Sequence, residues 1–164
     1  MSHTLTADEQ TLDGWKRAFL ETLQRDGLPE TYRCEQLARF WALVDHTHNT
    51  EDRSIPPILL KSFNASADMG VQESVLRALS TMPFENVWDA LMSDAQRLHL
   101  EGDWLGVVLG LWANDFEDDQ IDYIRSLLHT YNQSQLEALR AAAKQGADDR
   151  SMWAIKLLNL LGNS

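Results

Sequence analysis

The sequence predicts an all-α fold, and three observations carry that prediction. Apolar residues recur three and four apart through most of the 164-residue chain, which is the spacing of one helix face. Helix start and stop residues separate these stretches. Strand-like alternation is missing and β-branched runs are few. One domain is the simplest reading of the length, and a chain this long buries roughly 70% of the surface its unfolded form exposes.

The elements follow in order. Thr6 and Glu9 form a capping box before a first helix with Leu12, Trp15, Phe19 and Leu23 on one face, ending at Gly27. Pro29 opens a second helix, striped by Leu37, Phe40, Trp41 and Val44. After a polar loop, Ser54 is placed as the cap of a short helix whose first turn holds Pro56 and Pro57, with Ile58, Leu59 and Phe63 apolar. Asp68 caps a fourth carrying Val71, Val75 and Leu79, which stops before Pro83. A fifth runs from Phe84 through Val87, Trp88, Leu91 and Ala95 to Leu98 and ends near Gly102. Asp103 caps a sixth, Trp104 to about Asn114, apolar nearly all round and therefore expected at the centre. Asp118 or Asp119 starts a seventh with Ile121, Ile124, Leu128 and Tyr131. Ser134 and Glu137 cap an eighth that ends at Gly146, and a ninth carries Trp153, Leu157, Leu160 and Leu161 and closes at Gly162.

From Ser54 onward these helices pair at roughly 30-residue spacing, 54–80, 84–114 and 118–146, which suits a HEAT-like α-solenoid. An irregular orthogonal bundle is the alternative. The expected organisation is a single all-α domain over 1–164, with an N-terminal helix pair in 1–50 and HEAT-like pairs plus a capping helix over 54–162.

Composition narrows the function classes. Cys34 is the one cysteine, so no intrachain disulfide forms and nothing points to an oxidising compartment. The N-terminal segment has no apolar run behind a basic start, as a secretory signal would. The longest apolar stretch, Leu105 to Ala113, is far below the ~20 residues of a membrane span. A cytoplasmic protein is expected. The net charge of −11 argues against nucleic acid, whose phosphates need a basic surface, and favours a basic protein partner.

That charge is unevenly spread. From Leu98 to Ile124 there is no Lys or Arg, while Glu101, Asp103, Asp115, Glu117, Asp118, Asp119 and Asp122 are acidic. Helix starts account for Asp103, Asp118 and Asp119, because carboxylates there complement the helix dipole. Asp115, Glu117 and Asp122 remain, without a compensating base inside the window. Neighbouring acids repel one another, and a basic partner would relieve the repulsion and speed encounter. Trp104, at a helix start beside this window, is the candidate anchor, since Trp is favoured at binding hot spots. Trp15, Trp41, Trp88, Trp112 and Trp153 lie on apolar stripes and are assigned to the core.

Catalytic signatures are weak by comparison. Asp115, Glu117 and Asp119 have the odd-position spacing of a calcium loop, but Gln120 stands where the turn needs Gly and Ser126 where a bidentate Glu belongs. His46 and His48 sit in a polar loop beside Asp45, Glu51 and Asp52, where a solvated loop is the better reading than a zinc site. Cys34 has no motif around it and reads as a small hydrophobe. Gly102, Gly106 and Gly110, four apart, suit close helix packing. No metal or cofactor is expected.

The stretch Ile55 to Met82, IPPILLKSFNASADMGVQESVLRALSTM, has a Pro-started helix, a polar turn and a Val-x-x-x-Val-Leu-x-x-Leu helix. It resembles the helix pair of bacterial immunity proteins that neutralise contact-dependent inhibition and polymorphic toxins. The resemblance covers about a sixth of the chain. It implies a non-catalytic protein that occludes a cognate toxin domain, a basic nuclease, with Asp115, Glu117, Asp118, Asp119 and Asp122 facing its Lys and Arg residues. A small HEAT-like adaptor binding a peptide or protein is the second expectation. A metal-dependent enzyme using the Asp115–Asp122 carboxylates or His46 and His48 is a distant third.

Overall fold

The computed structural model describes residues 3–24, 30–64, 69–113 and 115–162. Among these it is helical throughout, without strands: α1 Leu12–Thr22, α2 Glu30–Asp45, α3 Ile55–Leu59, α4 Met69–Leu79, α5 Phe84–Ser93, α6 Ala95–Leu100, α7 Trp104–Trp112, α8 Asp118–Leu127, α9 Gln133–Asp148 and α10 Met152–Leu161. Single 3-10 turns extend α3 and α8. No helix among the described residues is long and apolar enough to cross a membrane.

The helices stack in two rows. In one, α1 packs on α3, α3 on α5 and α5 on α8. In the other, α2 packs on α4, α4 on α7 and α7 on α9, and α10 lies along α9 and against α7. Helix α6 packs on both α7 and α9. Between the rows the core runs continuously from Trp15, Phe19 and Phe40 through Leu59, Leu79, Trp88 and Leu109 to Leu139 and Leu157.

Several boundaries differ from the sequence expectation because side chains find other partners. The Thr6–Glu9 box forms, with Glu9 Oε2 accepting from the Thr6 N–H at 2.8 Å, but it shapes a turn. The helix starts later, where Thr11 Oγ1 accepts from the Gly14 N–H at 3.1 Å. Ser54 does not cap α3, since its hydroxyl donates to Asp52 Oδ1. The expected fifth helix breaks at Asp94, whose carboxylate accepts two bonds from Arg97 Nε while Arg97 also donates to the Leu60 and Phe63 carbonyls. Helix α9 is capped by Asn132 and Gln135, not Ser134 and Glu137. The expected roles of Gly27, Pro29 and Asp68 lie outside the described residues.

Gly146 lies inside α9 instead of ending it. A Cβ there would sit 2.5 Å from Trp153 Cζ2 and 2.9 Å from Ala154 Cβ. The α9–α10 approach thus depends on a missing side chain. Gly146→Val is expected to lower stability by about 1–3 kcal/mol through forced repacking. A denaturant titration checks this; an unchanged midpoint would show that Trp153 swings aside freely.

Of the tryptophans assigned to the core, Trp15, Trp88 and Trp153 are buried and Trp112 is half-buried. Trp41 is 45% exposed, because α2 turns Phe40, Leu43 and Val44 inward and leaves Trp41 on its flank. Cys34 is likewise exposed, which corrects its reading as a small core hydrophobe.

Candidate functional site

Helix α7 divides the acidic window in two. Its nine residues span about 13 Å at ~1.5 Å per residue, with Glu101, Asp103 and Trp104 at one end and the acids of 115–122 beyond the other. A run continuous in sequence is therefore not one surface patch.

At the first end the side chains have local partners. Glu101 pairs with Arg97 at 2.9 Å. Asp103 does not cap α7: it is left-handed, with φ 58°, and its carboxylate lies 3.0 Å from His99 Nδ1. Trp104 is half-buried, meets Phe63 edge-on at 5.6 Å and donates its indole N–H to the Asn64 carbonyl at 3.0 Å. These contacts tie α7 to the end of the α3 segment and account for a Trp at this position without a partner.

The second end is a turn built on Phe116. This ring is almost wholly buried between two exposed acids, Asp115 and Glu117. It lies edge-on to Phe84 at 6.0 Å and to Trp88 at 5.8 Å. Phe84 stacks on Trp112 at 5.2 Å and on Trp88 at 5.9 Å, giving a three-ring ladder beneath the turn. Lys156 of α10 donates to the Phe116 carbonyl and pairs with Asp115 at 2.8 Å. Around this anchor, Asp115, Glu117, Asp118 and Asp119 are exposed to solvent.

Glu117 is the N-cap residue of α8, in place of the expected Asp118 or Asp119. Its N–H donates to Gln120 Oε1 at 3.1 Å. Asp118 and Asp119 follow in the first turn, where the dipole favours them. Asp122 pairs with Arg125. The expectation that these acids lack a compensating base is therefore corrected: Arg97, Arg125 and Lys156, all outside the window, neutralise Glu101, Asp122 and Asp115. Glu117, Asp118 and Asp119 have no ion pair among the described residues. A shallow cleft of about 150 Å³ next to them is lined by Phe84, Trp112, Asp115, Glu117 and Gln120.

Phe116 and Lys156 are the site residues that the sequence reading passed over. One aromatic inside an acidic run was the available signal for Phe116. Lys156 had none, because it arrives from a helix 40 positions away.

No three His, Cys, Asp or Glu side chains converge as a metal-ligand set among the described residues. His46 is exposed, and His48 lies 3.9 Å from Asp45. Compared with family models, curated proteins and solved structures, the chain gives no match.

Proposed function

We propose that this chain is a binding protein without catalytic activity, an immunity-type inhibitor that neutralises a basic toxin domain, a nuclease, in the cytoplasm. Its acidic turn between α7 and α8 covers the toxin's active site, where Lys and Arg residues would otherwise meet nucleic acid. The observation that carries this reading is the set of exposed carboxylates Glu117, Asp118 and Asp119, which have no ion pair among the described residues, on a turn whose Phe116 is buried; Asp119 accepts from the Gln120 N–H at 2.8 Å. Asp115 and Asp122 flank them and can exchange Lys156 and Arg125 for the partner's cations. The exposed Asp122–Arg125 pair stabilises the fold by only about 0–1 kcal/mol, so that exchange costs little. The resemblance of Ile55–Met82 to immunity-protein helix pairs points the same way. Glu101, Asp103 and Trp104, at the far end of α7, extend the contact where the partner is wide enough to reach them.

The two-row stacking also supports a second reading, a HEAT-like adaptor that grips a peptide on an inner helical face. The two readings place the interface differently, so one experiment separates them. The chain is used as bait in extracts of its source cells at low and high salt. The immunity reading expects a basic toxin-like domain, retained at low salt. Recovery should fall about tenfold at high salt, because screening removes exposed-charge attraction. The same loss should follow when Asp115, Glu117, Asp118, Asp119 and Asp122 are changed to Asn or Gln. A partner indifferent to salt and to these changes would overturn the acidic-turn mechanism and favour the adaptor.

A further inference from the structure

We propose that the cleft between the α4–α5 connection and the acidic turn seats one arginine side chain of the partner, an inference that rests on the acidic-turn reading. The cleft holds about 150 Å³. The α4–α5 connection and the start of α5 supply Ser80, Met82 and Phe84 to its lining, and the end of α7 and the turn supply Trp112, Asp115 and Glu117. Phe84 has both ring faces covered, by Trp88 at 5.9 Å and by Trp112 at 5.2 Å. Trp112 stacks on Phe84 alone among the described rings and is only half-buried, so part of its indole stays open to the cleft.

The mixture of ring and carboxylate selects the kind of ligand. A bare calcium or magnesium ion needs oxygen ligands on all sides, which Met82, Phe84 and Trp112 do not offer. An organic cation suits both parts of the lining, because a Trp ring face attracts positive charge and carboxylates accept its N–H groups. Arginine fits better than lysine. Its guanidinium is planar and weakly hydrated, stacks on aromatic rings and pairs with a carboxylate through two parallel bonds. Ser80 adds an acceptor: it is exposed and donates its proton to the Arg77 carbonyl at 2.8 Å, which leaves its oxygen to accept.

The charges on the surrounding elements favour the same occupant. Helix α4 carries Glu73 and Arg77, which pair with each other at 3.7 Å, and in α8 Arg125 is taken by Asp122. Lys156 of the neighbouring α10 is taken by Asp115 at 2.8 Å. Helix α7 carries no charge at all. Each base on or beside the lining elements is thus already paired. On the acidic side, Asp89 accepts from the Tyr123 hydroxyl, and Glu85, Glu117, Asp118 and Asp119 have no ion pair among the described residues. A cation entering the cleft therefore meets an excess of carboxylate that the chain itself does not neutralise.

The test uses three short capped peptides of glycine around one central residue, which is arginine, lysine or citrulline, the last an uncharged arginine mimic. Amide and indole resonances of the protein are followed during titration at low salt. The arginine peptide should shift the Trp112 indole and the Glu117 amide. It should bind about threefold more tightly than the lysine peptide and about tenfold more tightly than the citrulline peptide. Trp112→Leu should erase the preference for arginine over lysine. Ser80→Arg changes an exposed residue, so it leaves the core intact, and its own guanidinium should fill the cleft and weaken the arginine peptide about tenfold. Citrulline binding as well as arginine, or Ser80→Arg binding like the original, would overturn the cleft. Equal shifts by arginine and lysine, confined to 115–119, would overturn it too while leaving the acidic turn standing. An arginine peptide seated at Trp112, in a protein that captures no basic domain from its source cells, would uphold the cleft and sink the immunity reading instead.

Discussion

Replacing Trp88 by alanine is expected to lower stability by about 3–5 kcal/mol, the usual cost of truncating a large buried aromatic. Trp88 is fully buried. It stacks on Phe84, meets Phe116 edge-on and donates its indole N–H to the Tyr131 hydroxyl at 2.7 Å. The change removes the ring that supports the acidic turn from beneath, so partner binding should fall along with stability. A milder variant isolates the hydrogen bond. Burial raises the Tyr131 phenol above its ordinary value, and donation from Trp88 works against that rise. Trp88→Phe should therefore move the Tyr131 titration higher still, at a cost of about 1 kcal/mol for the lost hydrogen bond to a half-buried hydroxyl. Denaturant titration and tyrosinate absorbance read these effects. A Trp88→Ala protein with an unchanged midpoint would show that this ring does not hold α5 against Phe116 and Tyr131.

The second large effect is expected at Glu9. Its side chain is 6% exposed and pairs with Arg39 Nε at 2.6 Å, and Arg39 also reaches Glu21 at 3.1 Å. Burial alone would raise the Glu9 carboxyl. Hydrogen bonds from the Thr6 N–H and from Arg39 outweigh burial and hold it down at about 2. Because the folded value lies below the ordinary 4.5, the stabilisation is complete above about pH 4.5 and disappears as pH falls toward about 2. Glu9→Gln keeps the shape and removes the charge, so it should cost about 3 kcal/mol at neutral pH. The gap between variant and original should close across pH 4.5 to 2. Unfolding midpoints measured over that range test both statements; a gap that stays constant would mean its cause is not the Glu9 charge, and no gap at neutral pH would mean the charged pairing contributes nothing.

Much of this fold is legible in the sequence because helix faces are local. The stripes Trp15–Phe19, Val71–Val75–Leu79 and Trp153–Leu157–Leu161 are buried as their spacing implies. What the sequence conceals is long-range competition for side chains. Asp103 has the residue type of a cap, but His99 takes its carboxylate. The break at Asp94 exists because Arg97 reaches carbonyls of Leu60 and Phe63, more than 30 positions away. Trp41 follows the same periodicity as Phe40, yet which of two adjacent aromatics turns inward depends on where α1 and α4 lie. The acidic residues themselves were visible, whereas their division by α7, their ion pairs with Arg125 and Lys156 and the Phe116 anchor required the folded chain.

The most direct test of the proposed acidic-turn interface is the association rate of the chain with a basic toxin domain, measured across ionic strength. Exposed carboxylates should steer that encounter. The rate constant should fall about tenfold or more from low to high salt, and Glu117→Gln, Asp118→Asn, Asp119→Asn together should lower the low-salt rate and flatten its salt dependence. Equal rates for the two proteins, unchanged by salt, would contradict the role assigned to the acidic turn.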